Sequence, residues 1–155
     1  MKNKILLLNI RNKEIDILFN ELRSNYHNSI PSFPHITIRG PRYKFNDSTI
    51  EKVEKVIQTI SIEVVGLDIM EYKNLYFCVF KVNSPALKDI WDKPDFPIRE
   101  FGFNPHITLY KGKNENIAKK IKNKIESEKR YKHLIFNSKD IEIKKSIIGQ
   151  YELAI

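Results

Sequence analysis

Two short segments of the sequence are nearly identical and contain the side chains best suited to acid–base chemistry. They read Pro-His-Ile-Thr-Ile at residues 34–38 and Pro-His-Ile-Thr-Leu at residues 105–109. A neutral imidazole accepts a proton and a protonated one donates it, and histidine titrates close enough to neutral pH to supply both forms. A threonine hydroxyl can donate a hydrogen bond to an oxygen on which negative charge accumulates. The two copies therefore suit the cleavage of a phosphodiester.

Both segments have the alternation of a β-strand, which decides which side chains act together. Successive side chains of a strand point to opposite faces. His35 and Thr37 therefore share one face, as do His106 and Thr108, while the aliphatic residues between them face the core. These four residues are the predicted catalytic set.

Further substrate-binding residues are predicted just beyond the two motifs. By the same alternation, Arg39 shares the face of the first motif and Tyr110 that of the second. An arginine fork suits phosphate, and a tyrosine ring can stack on a nucleobase or donate its hydroxyl group. Arg42 and Lys111 rank below them, because simple solvent exposure also explains these two residues.

Four aromatic residues near the motifs are candidates for a surface on which a nucleobase stacks. Trp91 and Phe96 border an irregular, proline-bearing loop before the second motif, where binding residues often lie. These two are kept as candidates for substrate binding. Phe33 and Phe103 stand beside the predicted strands, and we expect them to belong to the core.

The elements that must position the motifs follow an order that occurs twice. Apolar spacing predicts a strand over residues 4–10 and a helix from Ile15 to Tyr26, followed by the first motif strand. A second helix begins at a capping box formed by Ser48 and Glu51 and runs to about residue 60. Then come strands 61–70 and 75–82 as a hairpin, a short helix over 85–91, the second motif strand, a helix over 116–128 and two strands in the tail 140–155.

This repeated order predicts an α+β fold with one domain over residues 1–155. Duplicated halves would form two interlocking lobes related by a pseudo-two-fold axis, each an antiparallel sheet with flanking helices, with the active-site groove between them. A chain of this length can bury a core of its own. Hydrophobic residues make up 41% and charged residues 30%, a balance that excludes a disordered protein.

Composition also argues against several other classes of protein. No apolar stretch approaches the roughly 18 residues of a membrane span, so no membrane partner is expected. The single cysteine, Cys78, stands in an apolar strand, can form no internal disulfide and is expected to fill the core of a cytoplasmic protein. Asp89, Asp92 and Asp95 lack a His or Cys cluster at metal-ligand spacing, so neither a metal nor a cofactor is expected.

The net charge of +8 favours an anionic partner, because summed positive potential attracts phosphate-bearing ligands. Many lysines fall between Lys111 and Lys132, on the last predicted helix and its flanks. A solvated helical face and a nucleic-acid footprint explain them equally well. The expected partner is a nucleotide or oligonucleotide phosphodiester, with RNA as a further candidate, and we expect a monomer.

On its two motifs the chain resembles the 2H phosphoesterase superfamily, whose signature is a pair of His-x-Thr/Ser-hydrophobic segments. The family includes the bacterial RNA 2',5'-ligase-like enzymes and cyclic nucleotide phosphodiesterases. The resemblance covers nearly the whole chain, because the order of elements around the motifs also agrees with the family's bilobed fold. It implies His35 and His106 as the acid–base pair, and Thr37 and Thr108 as phosphate binders.

The resemblance leaves the substrate open among several phosphodiesters. Family members act on 2',3'-cyclic phosphates, on 2'-5' linked oligonucleotides or, in phage proteins that defeat bacterial immunity, on cyclic oligonucleotide messengers. We expect metal-independent cleavage of a ribose 2',3'-cyclic or 2'-5' phosphodiester, with degradation of a cyclic oligonucleotide immune signal as the alternative. A non-catalytic nucleotide- or RNA-binding module is the alternative from another class, although such a module would be free to lose one of the four motif residues.

Overall fold

The computed structural model describes residues 4–91 and 103–147, which form two antiparallel sheets and three α-helices. This architecture confirms the predicted α+β fold. The strands are β1 Lys4–Ile10, β2 His35–Arg42, β3 Ser61–Tyr72, β4 Leu75–Asn83, β5 His106–Gly112, β6 Ile135–Asn137 and β7 Ile141–Ile147. The helices are α1 Lys13–Tyr26, α2 Asp47–Ile57 and α3 Glu115–Glu126. Short 3-10 turns lie at His27–Ser29, Pro85–Asp89, Lys129–Tyr131 and Ser138–Asp140.

The two sheets exchange a strand between the halves of the chain. The first lobe has the strand order β2-β1-β7, and the second has the order β5-β4-β3-β6. Each motif strand lies at an edge beside a strand of its own half, whereas β7 and β3 cross over to pair with β1 and β4. This exchange interlocks the lobes, as the repeated order of elements predicts.

The main hydrophobic core lies between one face of each sheet and the three helices. Alternate residues of β1, Leu6, Leu8 and Ile10, belong to it and are almost fully buried. Cys78 of β4 belongs to it as well, and burial raises the pKa of its thiol to about 12, which confirms its predicted role as core filler. The helices contribute Ile15, Leu18, Phe19, Leu22, Val53, Ile57, Ala118, Ile121 and Ile125.

Asparagine side chains begin all three helices. Asn46 caps α2 by accepting a hydrogen bond from the backbone N–H of Thr49 at 2.9 Å, and it also accepts one from the Ser48 hydroxyl. Asn12 and Asn114 cap α1 and α3 in the same way. Such a cap satisfies an N–H group that the first turn leaves without a partner. The predicted capping box at Ser48 is therefore wrong.

The remaining differences from prediction lie in short segments. Lys73 and Asn74 make a two-residue hairpin turn with φ of 50° and 63°, which suits a type I′ turn and lengthens both strands. The predicted short helix before the second motif is a 3-10 turn, and β6 was not predicted. Of the two strands predicted in the tail, β7 is present and the other lies outside the described residues. No helix in the described ranges is long and apolar enough to cross a membrane.

Candidate active site

His35 and His106 occupy equivalent positions at the start of the two edge strands. Their side chains are 3% and 8% exposed. The carbonyl of the proline before each histidine accepts a backbone hydrogen bond from the neighbouring strand, from Ile10 at 2.9 Å and from Val82 at 3.3 Å. Cα atoms of β2 and β5 also approach within 8 Å of each other. The fold therefore brings the two histidine strands together.

The same hydrogen bond orients both imidazole rings. Nδ1 of His35 lies 3.0 Å from the carbonyl oxygen of Phe33, and Nδ1 of His106 lies 2.7 Å from that of Asn104. A carbonyl oxygen only accepts hydrogen bonds, so Nδ1 carries the hydrogen in both rings. Nε2 is therefore the ring nitrogen that can accept a proton in the neutral ring and donate one in the charged ring.

Thr37 and Thr108 lie on the histidine faces, as predicted from alternation. Thr37 is paired with Leu7 of β1, and Thr108 is paired with Val79 of β4. Both side chains are buried, at 7% and 2% exposure. The four motif residues thus occupy matching places in the two lobes, with one imidazole and one hydroxyl group in each.

A β-bulge follows the threonine in both lobes. In the second lobe Thr108 pairs with Val79 while Tyr110 pairs with Cys78, the adjacent residue of β4, so one residue of β5 has no opposite partner. The first lobe has a bulge at the corresponding place, between residues 37 and 39. An extra residue breaks the alternation of side chains along the strand. Predictions based on alternation therefore hold only as far as the threonines.

Tyr110 shows the effect of the bulge most clearly. Its side chain is 2% exposed in the main core, and its hydroxyl donates a hydrogen bond to the carbonyl of Asn114 at 3.4 Å. Gly112 leaves space for the ring, because a Cβ atom there would collide with the Tyr110 hydroxyl. The prediction that Tyr110 lies on the face of His106 is therefore wrong.

Lys111, not Tyr110, lies on the face of the second sheet that carries Thr108. It pairs with Phe77, which lies two residues from Val79 on the face of Thr108. Its Nζ atom lies 6.0 Å from the centre of the Phe77 ring. The bulge thus reverses the order in which alternation ranked the two residues after the second motif.

Arg39 and Arg42 lie along the remainder of β2. Arg39 is opposite Leu6, a residue of the main core, so the prediction that Arg39 shares the face of His35 is wrong. Arg42 is opposite Lys4 near the end of the strand. Both arginine side chains are partly buried. A role in substrate binding stays a prediction for both.

The four candidate aromatic residues differ in how far they are buried. Phe33 is partly buried outside the main core, with its ring centre 5.2 Å from that of His35. Phe103 is 38% exposed, so its predicted core position is wrong. Trp91 packs edge-on against Phe103, with ring centres 5.2 Å apart, and also against the main core. Phe96 lies outside the described residues.

A cleft of about 350 Å³ opens beside His106 and contains residues that the sequence did not reveal. Lys81 of β4 lies directly opposite His106 and lines the cleft. Met70 and Val79 form part of an apolar cluster on the same face. No motif marks these residues, and only the pairing register of β3, β4 and β5 places them beside the histidine.

Many lysines of α3 have structural partners. Lys119 and Lys122 form i,i+4 ion pairs with glutamates of the same helix, each at 2.8 Å. Lys124 reaches Glu21 of α1 at 2.6 Å. These pairs favour the interpretation of α3 as a solvated, ion-paired face. RNA as a partner stays a prediction.

Residues 4–91 and 103–147 contain no group of three His, Cys, Asp or Glu side chains placed to hold a metal ion. Asp89 ends a 3-10 turn, while Asp92 and Asp95 lie outside the described residues. His27 and His133 are exposed and stand apart from the motifs in sequence.

Fold and site together define a bilobed α+β protein with one His-x-Thr motif on the edge strand of each lobe. A scan against models of protein families gives no match, and a search of curated proteins finds no similar chain. Membership of the 2H phosphoesterase superfamily therefore stays a prediction based on the two motifs and the order of elements.

Proposed function

We propose that the protein is a phosphodiesterase in which His35 and His106 act as the acid–base pair. The observation that supports this most strongly is the equivalence of the two histidines. Each begins an edge strand, is buried, has Nδ1 bound to the carbonyl two residues earlier and shares its face with a threonine. Burying polar groups is costly, so packing alone gives no reason to build the same arrangement twice.

The substrate class that suits this pair is a ribose 2',3'-cyclic or 2'-5' phosphodiester. Nε2 of the neutral imidazole takes a proton from a water, or from an adjacent ribose hydroxyl, as that oxygen forms a bond to phosphorus. Nε2 of the protonated imidazole delivers its proton to the leaving oxygen as the original P–O bond breaks. Thr37 and Thr108 donate hydrogen bonds to the non-bridging oxygens, where charge accumulates.

A substrate panel tests the proposal. It contains 2',3'-cyclic mononucleotides, 2'-5' oligoadenylates and cyclic dinucleotides, and chromatography resolves the products. We expect wild-type turnover of at least one of the first two classes and strong loss in His35→Ala and His106→Ala. Turnover of cyclic dinucleotides alone would instead assign the protein to the degradation of cyclic signals. Binding without turnover of any member would contradict the enzyme proposal and favour a binding module.

The mechanism uses no metal ion, so EDTA should not change the rate. Activity of the wild type is measured before and after chelation and dialysis, with a known Mg²⁺-dependent nuclease as the control. Loss of activity that a divalent ion restores would contradict the acid–base mechanism in the form proposed.

A further inference from the structure

The two lobes differ at the residue two positions before each histidine. In the first lobe this residue is Phe33, which packs over Ile5 and Leu7 on the face of His35. Lys144 of β7 lies over the ring of Phe33, with Nζ 4.6 Å from the ring centre. An aromatic side chain thus covers the apolar surface of this face.

The equivalent residue of the second lobe is Asn104, and a cleft of about 350 Å³ lies beside it. By strand register Phe77 and Val79 correspond to Ile5 and Leu7. Val79 and Met70, which belong to one apolar cluster and are 1% and 8% exposed, line the cleft. The carbonyl oxygen of Asn104 still holds His106, but its side chain is shorter than that of Phe33. The cleft is therefore lined by the residue that takes the place of Phe33.

The cleft combines apolar walls with a few polar groups, as ligand sites do. The Asn104 amide also lines it, and its Oδ1 atom is buried with no hydrogen-bond partner among the described residues. Its Nδ2 atom donates a hydrogen bond to the Met70 sulfur at 4.0 Å. The exposed ring of Phe103 offers a surface on which a base can stack. Asp68 contributes a carboxylate that accepts hydrogen bonds.

Lys81 supplies positive charge at the end of the cleft next to His106. It is exposed, and no described acidic residue forms an ion pair with it. A lysine ammonium group binds phosphate as a point charge. In the first lobe the residue opposite His35 is the neutral Asn9. A lysine directly opposite the histidine is therefore found in the second lobe, whereas the lysine of the first lobe, Lys144, lies over Phe33.

From these observations we infer that the cleft binds the nucleoside of the substrate, with its phosphate between Lys81 and His106. The base lies against Met70, Val79 and Phe103, and Asp68 and Asn104 face its polar edge or the ribose. The assignment of the phosphate as the reacting group rests on the proposed function. Binding of a nucleoside monophosphate in the cleft does not depend on the proposed function. The cleft assignment and the proposed function can therefore be tested separately.

Binding is measured by NMR titration with the four nucleoside 2'-monophosphates and with ribose 5-phosphate, which has no base. Asn104→Phe places in the cleft the side chain that covers the first lobe. We expect it to weaken nucleotide binding by roughly tenfold or more, since it removes the contact area of the base, and to change ribose 5-phosphate binding little. Asn104→Ala removes the amide but keeps the cleft open, so it should weaken nucleotide binding less than Asn104→Phe does.

Lys81→Gln should weaken the binding of the nucleotides and of ribose 5-phosphate by a similar factor, because both kinds of ligand carry a phosphate. The matched control is Lys120→Gln, which removes the same charge from the exposed side of α3 and should leave binding unchanged. Equal nucleotide affinity in wild type and Asn104→Phe would overturn the inference, as would an equal loss for ribose 5-phosphate. Binding that follows the expected pattern without any phosphodiester cleavage would refute the proposed function and leave the cleft assignment standing.

Discussion

The lobe of His35 and the lobe of His106 have the same backbone around the histidine and different side chains. Proline carbonyl, Nδ1 contact, threonine and bulge recur at matching positions. The residue opposite the histidine changes from Asn9 to Lys81, and the residue two before it changes from Phe33 to Asn104. Under the proposed function, the shared features are those that acid–base chemistry requires, and the differences are those that would set the orientation of a substrate.

The two histidines should therefore be equally necessary although their surroundings differ. Replacing either His35 or His106 by Ala should lower kcat by a factor of roughly 10² to 10⁴, the usual contribution of one positioned acid or base. The double variant should lose little more than the worse single variant, since the two groups act in one step. Steady-state kinetics on the best panel substrate measures this. Near-normal turnover in either single variant would contradict a mechanism in which both histidines act as the acid–base pair.

The two threonines provide a smaller test of the same equivalence. Thr37→Val and Thr108→Val keep the shape of the side chain and remove the hydroxyl group, so each should lower kcat by about 10², a typical loss for one transition-state hydrogen-bond donor. Circular dichroism should show an unchanged fold. If only one variant loses activity, the phosphate is held mainly by one lobe, and if neither does, the threonines are structural.

The pH profile distinguishes the roles of the two lobes. Because the proposed reaction needs one neutral and one protonated imidazole, kcat/KM should fall on both sides of an optimum, by tenfold per pH unit on each limb. The limbs belong to the coupled pair rather than to single residues. In the residual activity of each alanine variant, one limb should disappear. A bell that persists unaltered in both variants would mean that other groups titrate.

The bulge of the second lobe has a buried anchor, Tyr110, and this predicts a moderate effect on stability. Gly112→Ala places a methyl group against the Tyr110 hydroxyl, so it should destabilise the fold by about 1–3 kcal/mol, as overpacking commonly does. Thermal unfolding measures the loss. Gly66→Ala is the matched control, because a Cβ atom there meets nothing within 4 Å. In a Tyr110→Phe background the loss at Gly112 should shrink, since the nearest colliding atom is gone.

The sequence predicted those features that depend on one segment alone. Apolar periodicity located β1, the helices, the hairpin and both motif strands, and alternation placed Thr37 and Thr108 correctly because they lie only two residues from their histidines. The face of Tyr110 was wrong because a bulge is a property of two paired strands, and its position is not visible in the pattern of either one. The cap of α2 was wrong because several polar residues in a row can all serve as caps.

Lys81 and the cleft could not be found from the sequence for a related reason. Lys81 is on a different strand from His106, and only the register between β4 and β5 makes the two residues neighbours. The sequence shows that Phe33 and Asn104 each stand two residues before a motif histidine. The effect of this difference on the site depends on the residues that surround each side chain, and the sequence does not show those.

The exchange of β3 and β7 between the lobes has a consequence for how the chain folds during synthesis. β1 precedes the other described strands along the chain and is the central strand of its sheet, yet its partner β7 follows all of them. Until then one edge of β1 is open to pairing with other chains, and contacts between such distant segments form slowly. The second lobe has no such delay between its three main strands. The sheet that carries the first histidine is therefore the last to be completed.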